Sequence, residues 1–140
     1  MKMLDSDNLK KACKQLETSL DFYRSPMSEN QPEMKLQFRT AAIQGFEFTY
    51  EIAVNLIKKM VAENMLNPDK VDSMHFFDLL REAEKIGLIR NALQFREYQK
   101  MRNQTSHAYK EETAVEVFAQ FGGFIEDIHA LIHQIDSART

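Results

Sequence analysis

The sequence has one cysteine, three prolines, four glycines and no tryptophan. A lone Cys13 excludes an internal disulfide and a cysteine-rich zinc site. Its place in an apolar stripe makes it a buried core thiol. With so few Pro and Gly there are few turns, which argues for long regular elements. No apolar run approaches the ~20 residues needed to span a bilayer. The N-terminus, MKMLDSDNLKK, turns polar at once, so no secretory signal is expected. A formal charge of −3 excludes general attraction to polyanions, so any nucleic-acid contact must come from a local basic patch. These absences point to a cytoplasmic protein with no membrane contact. Its 140 residues suit a single domain over residues 1–140 and are too few for two comfortable ones.

What is present is helical periodicity, almost throughout. Leu9, Cys13, Leu16, Leu20 and Tyr23 form one stripe, predicting a first helix from about Asp5 to Tyr23. RSPMSENQPE, with Pro26 and Pro32, breaks it. The second helix runs from about Pro32 to Asn64 and carries two apolar stripes. One is Phe38, Ala41, Gly45, Phe48, Ile52 and Leu56; the other is Ile43, Phe46, Tyr50, Ala53, Ile57 and Met60. A third strip is entirely polar and includes Gln44, Glu47 and Glu51, which are expected to be solvated or partner-facing. A helix apolar on two sides packs against more than one neighbour, so this is the central helix.

Asp72 or Ser73 is the expected N-cap of a third helix, Ser73 to Ile86, which buries Phe76, Phe77, Leu80 and Ala83 and stops at Gly87. A fourth runs from about Asn91 to Ser106. Thr113 and Glu116 have capping-box spacing, starting a last helix to about Ser137 with the stripe Phe118, Phe121, Ile125, Ile128, Ile132 and Ile135. Gly122 and Gly123 interrupt it, predicting close helix approach or a kink. The fold expected is an all-α, up-and-down antiparallel bundle of about five helices.

The polar segment MRNQTSHAY, Met101 to Tyr109, is the candidate for chemistry. Arg102 and Tyr109 are seven residues apart and share a helical face, whereas His107 is rotated about 140° from Arg102 and lies about 7.5 Å along the axis. One straight helix therefore cannot easily aim Arg102 and His107 at one small target. A neutral imidazole can take the proton of a ribose 2′-hydroxyl. A guanidinium can hold a phosphate bidentately and stabilise the charge that develops on it. Asn103, one turn before His107, could orient the ring. The bland alternative is a satisfied polar helix end.

RNQTSHAY resembles the R-x-x-x-x-H-x-Y signature of HEPN domains, which are small helical bundles. FEFTYEIAV (Phe46 to Val54) and REAEKIGLI (Arg81 to Ile89) are similar to the HEPN branch called nucleotidyltransferase substrate-binding proteins. The three segments follow the family's order and span most of the chain from the second helix onward. The first of the two segments often ends in Trp where this chain has Val54, a departure that touches packing and not the polar trio. The resemblance implies pairing with a small, separately encoded nucleotidyltransferase. It also implies relation to the HepT toxins of toxin–antitoxin systems, which cleave RNA without metal through the motif's Arg and His at a dimer interface. Carried over, these residues are Arg102 and His107, in a homodimer, with RNA or a nucleotide as substrate. In those toxins the partner adenylylates the motif tyrosine, here Tyr109, and silences the protein. A two-fold axis beside the fourth helix would combine residues from two copies.

Two alternatives stand beside this reading. One is a non-catalytic subunit that uses the motif only to bind substrate for the partner enzyme. The other is a metal-binding bundle, since Glu126, His129, His133 and Asp136 fall near one helix face. That series lacks a second matching pair, and a solvated face is the simpler account, so neither metal nor cofactor is expected.

Overall fold

The computed structural model describes residues 5–138. Helix α1 (Asp7–Arg24) leads through a single turn, α2 (Pro26–Glu29), into the long α3 (Pro32–Glu63). Pro26 and Pro32 open their helices, where a missing N–H costs nothing. A 3₁₀ turn (Pro68–Ser73) precedes α4 (Phe76–Lys85). Helix α5 (Ala92–Gln104) passes through a second 3₁₀ turn (Thr105–His107) into α6 (Glu111–Ala138). No strand occurs among the described residues, and no helix among them is long and apolar enough to cross a membrane. With α2 a mere turn, five helices make the bundle among the described residues, as the periodicity predicts.

Side-chain pairings give the topology. Phe22 stacks on Phe38 and Leu16 faces Gly45, so α1 runs antiparallel to α3. Glu17 meets His129 and Tyr23 meets Phe118, so α1 is antiparallel to α6 as well. Arg90 meets Asp127 while Tyr98 packs on Phe124, and Arg102 reaches Glu51 while Thr105 just beyond α5 reaches Glu47, which sets α5 antiparallel to α6 and α3. Phe46 touches Phe121 and Phe124 and joins α3 to α6 at the centre.

At Gly45 a Cβ would lie 3.2 Å from Leu16 Cα. The bare backbone there lets α1 approach α3. Gly87, at φ 79°, ends α4: its N–H reaches Glu84 O at 3.0 Å and that of Leu88 reaches Ala83 O at 2.9 Å, a Schellman closure.

Several sequence expectations shift. Helix α4 starts at Phe76 and not at Ser73. Ser73 Oγ donates to Lys70 O at 3.1 Å, closing the 3₁₀ turn, so neither it nor Asp72 caps the helix. Helix α6 starts at Glu111, two residues before the expected cap Thr113. Glu111 and Glu112 occupy its first turn, where negative charge meets the positive end of the helix dipole. Gly122 and Gly123 neither break α6 nor seat a neighbouring backbone, because a Cβ at Gly122 would meet nothing within 4 Å and one at Gly123 only the Tyr98 hydroxyl.

Phe124 and Leu131 are fully buried in α6, whereas Phe118 and Ile125 of the predicted stripe are half-buried. Of the two stripes on α3, the one with Phe46, Tyr50, Ala53 and Ile57 forms the core. The other leaves Phe48 55% exposed and lines a groove of about 1100 Å³ between α1 and α3. Cys13 is buried as expected, and burial together with Glu17 pushes its thiol up to about 12.

A candidate site at the α5–α6 junction

Asn91 caps α5, its side-chain oxygen accepting from Gln94 N–H at 3.1 Å. Phe95, Tyr98 and Met101 bury one face and fix the helix against the core. That anchoring turns Arg102 toward α3. The α-helix ends at Gln104, so His107 stands on the tighter 3₁₀ turn.

Arg102 is half-buried and held by the polar strip of α3. Its Nη1 lies 2.9 Å from Glu47 Oε2, and its Nη2 lies 3.2 Å from Glu51 Oε1. The same Nη1 donates to Thr105 Oγ1 at 3.2 Å. The Thr105 hydroxyl in turn stands 2.8 Å from Glu47 Oε2 and 2.7 Å from the Arg102 carbonyl, either of which can accept its proton. Two carboxylates face one guanidinium here, so the spot carries no net positive charge. Each of these partly exposed pairs contributes on the order of 1 kcal/mol or less. Arg102 also acts on Tyr50, whose hydroxyl burial pushes up to about 12 while the guanidinium pulls the other way.

His107 and Tyr109 are exposed, with ring centroids 6.4 Å apart. Tyr109, 73% exposed, stands at a cleft of about 620 Å³ whose walls include Thr40, Gln44, Glu47, Thr105 and Ala108. Arg39 borders the same cleft and pairs with Glu111 at 2.6 Å. Lys110 Nζ sits 6.0 Å from the Tyr109 ring.

The fold thus gathers Arg102, Glu47 and Glu51 into one cluster, with Gln44 and Tyr109 beside it on the cleft. It does not pair His107 with Arg102: among the described residues no hydrogen bond or ion pair joins them, and Asn103 is exposed with no bond to the imidazole. Sequence reasoning missed Thr105, which is 7% exposed and ties arginine to carboxylate. Its signal was the three-residue spacing from Arg102, which puts both side chains on one side of a helical turn. The Glu126, His129, His133 and Asp136 series does not converge either. His129 pairs with Glu17 at 2.8 Å, and Asp136 accepts from Ser6 at 2.6 Å and meets Lys10 at 2.9 Å.

A small helical bundle with an Arg-x-x-x-x-His-x-Tyr segment at a helix junction defines the class of protein. Residues 4–137 match the family described as "Nucleotidyltransferase substrate binding protein like". The chain belongs to that family, as its sequence segments led us to expect. It is 38% identical over 94 residues to a "Probable ribonuclease HepT" of Haemophilus influenzae, a match covering 67% of this chain and 64% of that protein. A solved structure from Haemophilus influenzae, described as the fold of a substrate-binding domain of a nucleotidyltransferase, superposes with a TM-score of 0.87 at 31% identity. It covers 94% of this chain and 99% of that one.

Proposed function

We propose that the chain is the HEPN subunit of a two-component system, the partner of a small nucleotidyltransferase, and that two copies form a metal-independent endoribonuclease silenced by adenylylation of Tyr109. The observation that carries this reading is that Arg102 pairs within its own chain with Glu47 and Glu51 and not with His107, while Tyr109 is exposed beside the cleft. A second copy supplies the missing half of the pair.

In the reaction, neutral His107 of one copy takes the proton of an RNA 2′-hydroxyl. The freed 2′-oxygen attacks the adjacent phosphorus, and Arg102 of the other copy stabilises the charge building on the phosphoryl oxygens. A cyclic 2′,3′-phosphate forms, the bond to the 5′-oxygen breaks, and that oxygen leaves with a proton from a general acid or water. Silencing is the attack of the Tyr109 phenolic oxygen on the α-phosphorus of ATP. Pyrophosphate leaves, and the phenolic proton passes to solvent. The added anionic nucleotide then occupies the approach to Arg102.

Binding without catalysis is the second reading, and the pairing of Arg102 with Glu47 and Glu51 favours it, because those carboxylates compete with any incoming phosphate. RNA cleavage by the purified protein in excess chelator separates the two. The endoribonuclease reading predicts cleavage by the wild type and a loss of ~10²–10³ in rate for Arg102→Ala, with a comparable loss for His107→Ala and helicity unchanged in both. RNA left intact by the wild type would establish the binding-only reading.

A further inference from the structure

The seam between α1 and α6 holds a second cluster, built from residues that the proposed RNA chemistry does not use. Cys13 and Glu17 lie one turn apart on α1, and His129 faces them from α6. A single carboxylate oxygen, Glu17 Oε1, stands 2.8 Å from His129 Nε2 and 3.3 Å from Cys13 Sγ. All three donor atoms lie within 4.8 Å of one another. A tetrahedral zinc ion, with bonds of about 2.0–2.3 Å to nitrogen, oxygen and sulfur, holds its ligand atoms roughly 3.3–3.8 Å apart. The three atoms are therefore already close to sharing one tetrahedral face, within reach of small side-chain rotations.

We propose that Cys13, Glu17 and His129 form a binding site for one divalent cation of the zinc class, clamping the first helix to the last. The donor set selects the metal. A thiolate with an imidazole suits zinc and its neighbours, whereas magnesium and calcium call for oxygen ligands alone. Charge fits as well: a dication bound by one thiolate, one carboxylate and a neutral imidazole makes a neutral complex, which a half-buried position tolerates. Binding replaces the thiol proton, which passes to solvent.

The surroundings supply a floor and an entrance. Cys13 is 1% exposed among apolar neighbours, while the His129 side chain is 59% exposed and opens the site to solvent. The fourth position falls to water. Elsewhere this seam is held by polar contacts of Asp136 with Ser6 and Lys10, so a metal would add a cross-link of a different kind. A thiol–carboxylate hydrogen bond beside a surface ion pair is the simpler account of the same atoms, and it gives no role to sulfur that serine could not fill.

Cobalt(II) titrated into the chelator-treated full chain discriminates the two. The site predicts one equivalent bound, a thiolate-to-cobalt charge-transfer band, and a melting temperature raised by several degrees in excess metal. Cys13→Ser should abolish the band, and His129→Gln should weaken binding at least tenfold. His129 is exposed, so its variant keeps the fold and carries the test if the serine variant does not. No charge-transfer band at saturating cobalt overturns the proposal, as does binding that His129→Gln leaves unchanged.

Discussion

Tyr98 and Tyr109 stand eleven residues apart in opposite surroundings. Tyr98 is 1% exposed and its hydroxyl is bound by Asp127, so burial and that carboxylate both push its ionisation upward. Tyr50 behaves likewise and reaches about 12. A phenol whose ionisation is raised by folding contributes stability that is fully present below the unfolded value of ~10 and is lost as pH climbs through the folded value. Absorbance titration should therefore show Tyr50 and Tyr98 silent near pH 10, ionising only as the protein unfolds at higher pH. Ionisation of all four tyrosines together near pH 10, with the fold intact, would refute the buried placement. Tyr109, open to solvent, is the counterpart proposed to react. Given a partner nucleotidyltransferase, ATP and magnesium, the wild type should gain adenylate mass and Tyr109→Phe should not. Phe keeps the ring and loses only the acceptor oxygen. Adenylation that persists in the Phe variant would move the target elsewhere.

At the scale of elements, the structure separates two faces of α3 that look equally apolar in the sequence. Phe46 is fully buried and touches Tyr50, Phe121 and Phe124, whereas Phe48 is 55% exposed on the groove. Phe46→Ala should cost about 3–5 kcal/mol, while Phe48→Ala should cost about 1 kcal/mol, both read from urea denaturation midpoints. Equal costs would mean that the groove face is core. Helix number and order were legible because 3.6-residue stripes and paired prolines report local structure directly. Which stripe of α3 is the inner one was not, because that depends on how far α1 covers it. Gly122 and Gly123 misled for a related reason: a glycine signals close approach only where a neighbour exists to approach, and at Gly45 one does. The motif residues Arg102, His107 and Tyr109 were legible as a segment, but the hold of Glu47, Glu51 and Thr105 on Arg102 was not. That network joins residues as far as 58 positions apart, and only the antiparallel pairing of α3 with α5 creates it.

For the whole molecule, the proposed RNA-cleaving site is incomplete in the isolated chain. Its arginine is neutralised by two carboxylates and its histidine stands apart on a 3₁₀ turn. The proposed assembly gives each a partner from the other copy, and that division of labour has a consequence that no single-chain site shares. Arg102→Ala and His107→Ala, each slowed by ~10²–10³ alone, should regain RNA cleavage when mixed and allowed to exchange subunits. The mixed dimer then holds one intact pair, made of arginine from one copy and histidine from the other. Recovery of a substantial fraction of wild-type cleavage in chelator is the predicted result. A mixture that stays inactive, although subunit exchange is demonstrated and the wild type cleaves, would contradict the shared site.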